Sequence, residues 1–310
     1  MNRFADKFKQ LEKDFVNEQR KMPTSSCLNV YYGLTKEKYY RLSFVSTIRP
    51  FKLESTKEIK VTQGKEIEDV YWTCLDLISE EAKEVFFIFC ESLIESIEDV
   101  SDEHEALNNI RERYYSWRLL LKNKGKMAYE NYQGLFGELY FLLEILGKNY
   151  DIESAINAWV GPDGYSKDFS IDDTRYEIKT IGMSSTCVKI NSLSQLDSEV
   201  TGHLVCIQVE KMSDQFDDGM CSVPKLYNNI LNKISSHQTR EDFINKVLKY
   251  GYVDEEFPLN NRKFEVKRIT SYLADDKFPK MTKNDIKESA ISNITYDLLI
   301  SAIEKYKEEN

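Results

Sequence analysis

The hydrophobic period changes abruptly near the middle of the chain. Apolar residues recur at helical spacing over 128–146, and Gly147 is placed to end that helix. Apolar and polar residues then alternate over 167–171 and 175–180, which is the period of a β-strand. The residues between them, Asp172-Asp173-Thr174, are typical of a tight turn. This order predicts a long helix followed by a β-hairpin, and so a fold that mixes helices with sheets.

The rest of the chain also fits a mixed α/β (α+β) protein. Phe4, Phe8, Leu11 and Phe15 recur at helical spacing, so we expect an amphipathic helix at the start. Aromatic and β-branched segments predict strands at 29–32, 39–45, 59–61 and 70–77, and two helical patterns follow between 81 and 124. After the hairpin we expect strands at 188–190, 203–209 and 264–273, and helices at 226–234 and 243–248.

Changes of pattern suggest the domain limits, because no proline-rich or serine-rich linker marks a boundary. We predict an N-terminal helix with a β-rich subdomain at 1–105 and a central core at 106–215. The remaining residues, 216–310, are predicted to form a mainly helical region with a strand.

Cysteines, histidines and apolar runs narrow the class of protein. The six cysteines lack C-x-x-C spacing, so we interpret them as reduced core residues. The three histidines are too dispersed for a zinc site or a His-centred triad. Residues 1–20 lack the apolar segment of a signal peptide, and the longest apolar stretch is interrupted by Glu138 and Glu144. We therefore expect a soluble cytoplasmic protein with no membrane partner.

The formal net charge of -10 is unfavourable for binding nucleic acid, which needs a positive surface. Two stretches are nevertheless basic. The first contains Arg111, Arg113, Arg118, Lys122, Lys124 and Lys126, and the second contains Arg262, Lys263, Lys267, Arg268, Lys277, Lys280, Lys283 and Lys287. Taken alone, each is better explained as a solvated surface than as a binding site.

Four E-x-K triplets occur, and their surroundings distinguish them. They are Glu58-Ile59-Lys60, Glu81-Ala82-Lys83, Glu177-Ile178-Lys179 and Glu265-Val266-Lys267. Only the third lies in the predicted hairpin, where alternation puts Glu177 and Lys179 on one strand face. If Asp172 and Asp173 form the turn, Asp168 lies directly opposite Glu177 with Cβ atoms ~5 Å apart.

A facing pair of carboxylates requires a positive charge between them, because like charges on paired strands are destabilising. A divalent cation supplies that charge, and oxygen ligands of this kind favour Mg²⁺ or Mn²⁺. Glu138 adds a third acid, since its helical neighbours Gly134, Leu135, Phe141 and Leu142 are mostly apolar. A carboxylate buried there needs a cation or a hydrogen-bonded network.

Several segments of the chain form a recognisable set. They are residues 132–139 (YQGLFGEL), 159–164 (WVGPDG), Asp168-Phe169, 177–180 (EIKT) and 195–197 (QLD), with Trp117-Arg118-Leu119-Leu120 and Phe278-Pro279-Lys280 further out. Together they resemble the PD-(D/E)XK family of prokaryotic restriction and phage-defence loci. The resemblance implies a restriction-endonuclease-like αβββαβ core that cleaves DNA with a divalent metal.

The resemblance also implies roles for individual residues. Glu138 matches the helix acid, Asp168 the motif aspartate, and Glu177 with Lys179 the E-x-K pair. Asp168, Glu177, the backbone carbonyl of Ile178 and Glu138 are then the expected ligands of Mg²⁺ or Mn²⁺. The expected partners are DNA, a second copy of the chain, or other proteins of a restriction or defence operon.

Other residues have simpler interpretations. Asp163 completes a literal Pro-Asp but ranks second to Asp168, because Pro162-Asp163 is more typical of a turn. Gln195 could contact a phosphate or a base, although a structural role at a helix start is favoured. We expect Trp159 to be a core residue. We also favour packing for the cluster of Tyr114, Tyr115 and Trp117, although the interleaved arginines leave stacking on nucleic-acid bases open.

Two functions remain open. One is an active DNA endonuclease, and the other is a catalytically silent module of the same fold that binds DNA or a partner protein. The presence of all four polar residues favours the endonuclease.

Overall fold

The backbone packs into two compact units. The first consists of Met1–Met127 and Ile244–Tyr252, and the second consists of Ala128–Phe243 and Val253–Asn310. The structure, a computed structural model, describes residues 3–14, 19–67, 69–122, 127–197, 200–213, 221–253, 259–286, 291 and 293–308. The division at 1–105, 106–215 and 216–310 stays a prediction.

The described residues of the first unit form an antiparallel sheet and several helices. Its strands are β1 (Gln19–Met22), β2 (Asn29–Leu34), β3 (Tyr40–Ser46), β4 (Ile59–Ile67) and β5 (Val70–Leu77), in the order β1-β2-β3-β5-β4. The helices are α1 (Arg3–Asp14), α2 (Lys83–Glu95) and α3 (Glu103–Lys122). Phe4, Phe8 and Leu11 of α1 are fully buried, as their spacing predicts, whereas Phe15 lies outside the described residues.

The second unit combines helices with two sheets. Its elements are α4 (Tyr129–Phe141), a π-helix (Leu142–Leu146), α5 (Gly147–Asn149), α6 (Ile152–Ala158), β6 (Phe169–Ile171), β7 (Thr174–Gly182), β8 (Cys187–Ile190), β9 (Thr201–Met212), α7 (Val223–Leu231), α8 (His237–Tyr250), β10 (Lys263–Leu273), β11 (Tyr296–Leu299) and α9 (Ile300–Ile303). From residue 244 onward, α8 belongs to the first unit. The mixed α/β class is confirmed.

Strand pairing gives the second unit its central sheet, in the order β10-β9-β7-β6. β7 and β9 are parallel, and the other neighbours are antiparallel. β8 pairs with β11 in a separate two-stranded sheet. Between β8 and β9, where a second core helix was expected, the described residues contain a 3-10 helix, Leu193–Gln195.

The hairpin has the predicted register. Ile171 pairs with Thr174 and Phe169 with Tyr176, so Asp172 and Asp173 form the turn. Asp172 has φ +48°, in the left-handed region that aspartate tolerates better than most residues. Continued by one residue, this register places Asp168 across from Glu177.

The prediction that Gly147 ends the long helix is wrong. A π-helical turn follows α4, and helical backbone continues through Asn149 to an extended Tyr150. Gly147 itself has φ -66°, so the left-handed freedom of glycine is not used there. In the described part of the chain, no helix is both long and apolar enough to cross a membrane.

Candidate active site

Asp168 is held in place at both its backbone and its side chain. Its N–H donates to the Tyr176 carbonyl at 3.1 Å, and its own carbonyl accepts from the N–H groups of Val160 and Gly161 at 2.9 and 3.0 Å. Its carboxylate Oδ2 accepts the Ile178 N–H at 2.7 Å. The backbone of both neighbouring segments therefore fixes where this carboxylate lies.

Gly161 permits the close approach of the chain to Asp168. A Cβ atom at position 161 would lie 3.2 Å from both Cα and Oδ1 of Asp168, which is tighter than ordinary packing. Residues Gly161–Asp163 form a 3-10 turn that ends at Gly164 with φ +87°. Pro162-Asp163 is thus a turn, as expected, and Asp163 is exposed within it.

Glu177 is almost completely enclosed, with 1% of its surface exposed. Lys179, two residues along the same strand face, places Nζ 2.8 Å from Glu177 Oε1. The second carboxyl oxygen, Oε2, is buried and accepts no hydrogen bond from any residue that the structure describes. One ammonium therefore satisfies only part of this carboxyl group.

The two carboxyl groups influence each other. Burial raises the pKa of Glu177, the charge of Asp168 raises it further, and Lys179 opposes both effects. Burial also raises the pKa of Asp168, against the lowering effects of the Ile178 N–H, Lys179 and Lys167. The structure therefore brings Asp168, Glu177 and Lys179 together, and the acidic pair shares two lysine neighbours.

Glu138 lies in a different environment. It is 6% exposed, and its Oε2 accepts a hydrogen bond of 2.6 Å from the indole N–H of Trp159. Among the described residues, no three His, Cys, Asp or Glu side chains are grouped so that they could hold a metal ion. The convergence of Glu138 with the two hairpin carboxylates is thus not seen, and its metal role stays a prediction.

The helix α4, which carries Glu138, packs against β7. Gly137 lies against the strand so closely that a Cβ atom there would be 1.8 Å from Thr180 Oγ1, and Gln133 donates to the Thr180 carbonyl at 3.1 Å. The ring centres of Phe141 and Tyr176 lie 5.2 Å apart. Tyr176 and Thr180 alternate with Glu177 and Lys179 along β7, so α4 covers the opposite strand face.

Lys167 is a site residue that sequence reasoning missed. It is 8% exposed, and its Nζ donates to the carbonyls of Ser194 and, at 3.0 Å, Asp197. Burial lowers its pKa to about 8, while Glu177 acts in the opposite direction. Strand alternation would put Lys167 on the face opposite Asp168, but β6 begins only at Phe169. No sequence signal marked it.

Gln195 connects the 3-10 helix to the candidate site. Its Oε1 accepts the Asn191 N–H at 2.6 Å and a longer hydrogen bond from Lys179 Nζ at 3.4 Å. This contact favours the structural role over a contact with phosphate. A small cleft beside Glu177 is lined by Lys167, Arg175, Gln195 and His203, among others.

Of the aromatic residues singled out in the sequence, all but the partly buried Tyr115 pack in the interior. Trp159, Tyr114 and Trp117 are at most 1% exposed, as expected of core residues. Trp159 has a second role that its sequence context did not show, because it also holds Glu138. In the first basic stretch, Arg113 is buried and donates to Ser92. Lys124, Lys126 and Lys287 lie outside the described residues.

The donor set fits a small, hard divalent cation. The observation that supports this is the buried, unsatisfied Oε2 of Glu177 beside a second carboxylate, because Mg²⁺ is commonly held by one or two carboxylates with water and substrate phosphate. A hairpin that carries an aspartate on one strand and E-x-K on the other defines a PD-(D/E)XK-type protein.

Comparison with known families agrees with this class. The DUF4420 family model, described as a PD-(D/E)XK family member, matches residues 4–301. The chain therefore belongs to the DUF4420 family of PD-(D/E)XK proteins. No curated protein and no solved structure matches it.

Proposed function

We propose that this chain is a metal-dependent endonuclease that hydrolyses phosphodiester bonds in DNA. The observation that carries the proposal is the buried Glu177 beside the partly buried Asp168, with Lys179 at 2.8 Å from Glu177. Placing two carboxyl groups next to each other away from water costs stability unless a cation compensates. The pair is therefore better explained by chemistry than by packing.

Asp168, Glu177 and the Ile178 carbonyl are the proposed holders of Mg²⁺ or Mn²⁺, and Glu138 is a candidate for a further contact through water. The bound ion lowers the pKa of a water molecule and neutralises charge on the scissile phosphate. The Ile178 N–H keeps Asp168 oriented, and Gln195 keeps Lys179 in place.

Lys179 supplies a compact positive charge beside the pair. In the proposed reaction its ammonium group orients the attacking water or stabilises the charge that builds on the phosphoryl oxygens in the transition state. Because Lys179 is held by an anion on one side and by an amide oxygen on the other, little reorganisation is needed before it acts.

The proposed biological setting is a restriction or phage-defence system, which rests on the resemblance to that family. A single site cuts one strand, so cleavage of both strands would require a second copy of the chain or a partner protein. The alternative is a catalytically silent module that binds DNA or a partner protein through the same fold. This alternative does not explain why Glu177 is buried beside a second carboxyl group.

Plasmid nicking tests the proposal. Supercoiled plasmid is incubated with the chain and Mg²⁺, Mn²⁺ or EDTA, and the nicked product is quantified. We expect cleavage only with metal, and a loss on the order of a hundredfold or more for Lys179→Ala, because it removes a charge placed at the reacting phosphate.

The chain offers a matched control in another E-x-K triplet. Lys267 lies 2.8 Å from Glu265 at the surface of β10, so Lys267→Ala removes the same kind of ion pair away from the hairpin. This variant should cleave like the unmodified chain. Equal activity of the two lysine variants, or intact plasmid under every condition, would contradict the proposal.

A further inference from the structure

A second cleft lies in the first unit, remote in sequence from the hairpin. It has a volume of about 610 Å³ and lies between the loop that follows β3 and the end of β4. We name it the basic cleft and define it by Arg49, Lys52, Gln63, Gly64, Lys65 and Tyr71. The activity proposed above does not use any of these residues.

The charge of the basic cleft is of one sign. Its lining contains three cationic side chains, Arg49, Lys52 and Lys65, and no acidic one. All three are exposed, and none forms an ion pair with an acidic side chain among the described residues. Like charges gathered on a chain of net charge -10 produce a local positive field that attracts anions.

The loop that carries Lys52 is held to the sheet. The amide nitrogen of Gln63 donates to the Phe51 carbonyl at 2.8 Å and to Thr73 Oγ1 at 3.1 Å. Its amide oxygen accepts the Leu53 N–H at 3.1 Å. Because both neighbours of Lys52 are fixed in this way, the position of its backbone does not depend on a ligand.

One aromatic ring, that of Tyr71, lines the basic cleft. Lys65 pairs with Tyr71 across the strands, and its Nζ lies 5.4 Å from the centre of that ring. Gly64 and Trp72 form the next pair along the strands, so the Trp72 side chain is on the other face of the sheet. Cations next to aromatic faces are the combination that binds nucleic-acid strands without sequence preference.

We propose that the basic cleft binds the phosphate backbone of a DNA strand. A free nucleotide is normally held in a pocket that buries most of its surface, whereas the cations here are exposed, as in a groove that follows a polymer backbone. The inference takes DNA as the ligand from the proposed function. The binding itself needs neither metal nor cleavage.

The test measures binding apart from catalysis. Labelled duplex and single-stranded oligonucleotides are titrated in EDTA with the Lys179→Ala chain, and anisotropy gives the affinity at several salt concentrations. The cleft variant adds Arg49→Gln, Lys52→Gln and Lys65→Gln. Its control adds Lys36→Gln, Lys57→Gln and Lys60→Gln, three exposed cations of the same unit outside the cleft.

Each phosphate contact contributes about 0.7 to 0.9 to the slope of log affinity against log salt. We therefore expect the cleft variant to lose about 2 to 3 from that slope and to bind on the order of tenfold or more weakly. The control variant should match its parent, and thermal unfolding should show that both variants fold.

The outcomes separate this inference from the proposed function. Equal slopes for the cleft and control variants, or no binding by the parent, would overturn it. The inference would also be overturned if the cleft bound a mononucleotide such as dAMP but did not bind oligonucleotides. If the cleft variant binds more weakly but the unmodified chain cleaves no DNA, this inference is supported and the proposed endonuclease activity is contradicted. If the unmodified chain cleaves DNA but the cleft and control variants have equal slopes, the endonuclease activity is supported and this inference is contradicted.

Discussion

Glu177 is the least exposed of the described acidic side chains. It is enclosed by its own strand, by Lys179 and by the neighbouring acid Asp168, and its Oε2 has no hydrogen-bond partner among the described residues. Its raised pKa means that the folded chain holds a proton there more tightly than the unfolded chain does. This links the stability of the protein to pH.

The sign of that link is a first prediction. A carboxyl group with a raised pKa adds stability below the pKa of the unfolded chain and loses it as pH rises through the folded value. In EDTA, the free energy of unfolding should therefore fall as the pH rises from about 4.5 to about 8. The fall is about 1.4 kcal/mol for every tenfold difference between the acid dissociation constants of the Glu177 carboxyl group in the folded and in the unfolded chain. Urea denaturation of Glu177→Gln, which cannot ionise, should show a smaller fall.

Two comparisons isolate the contribution of Glu177. Lys167 titrates in the same range with the opposite sign, because its pKa is lowered, so the difference between Glu177→Gln and the parent is the informative quantity. Glu265→Gln at the surface should behave like the parent. Mg²⁺ should reduce the fall by favouring the charged carboxylate. A parent and a Glu177→Gln variant with the same pH profile would contradict the assignment.

The placement of α4 on β7 depends on a missing side chain. Gly137 meets Thr180, and Gln133 donates to the backbone of the same residue. A tight contact at this point sets the distance between the helix and the strand that carries Glu177 and Lys179. The glycine is required here for close approach and not for its backbone freedom.

Gly137→Ala should therefore destabilise the chain by about 1 to 3 kcal/mol, the usual cost of overpacking. Replacing Thr180 with alanine in the same chain removes the clashing hydroxyl and should restore part of the loss, which a double-mutant cycle in urea measures. Gly182→Ala, on the same strand as Thr180, is the control, since a Cβ atom at position 182 would have its nearest contact at an ordinary 3.8 Å. A cost for Gly137→Ala no larger than that of Gly182→Ala would refute the close contact.

The whole chain carries a net charge of -10, so the proposed contact with DNA would have to come from local positive surfaces. One candidate site per chain also limits what a single copy can cut. At low protein concentration we expect nicked plasmid, and at higher concentration linear plasmid, because cutting both strands would need two copies. Gel analysis with sedimentation of the protein–DNA complex checks this, and linear product at a constant ratio over all concentrations would oppose it.

Local sequence was sufficient to predict much of the fold and the hairpin part of the candidate site. Periodicity and turn chemistry predicted the strand at 70–77, the hairpin register and the facing of Asp168 and Glu177, because these depend on residues close together in the chain. They also separated one E-x-K triplet from three others. The family resemblance then added the roles that spacing alone could not provide.

Contacts between distant segments were decided only by folding. Lys167 joins the site by donating to carbonyls about thirty residues away, Gln195 supports Lys179 across a loop, and Trp159 donates to Glu138. No period or turn signal encodes such pairs, since each depends on how two elements pack. The gathering of Arg49, Lys52 and Lys65 in one cleft likewise follows from the placement of a loop against a strand, which their order in the chain does not reveal.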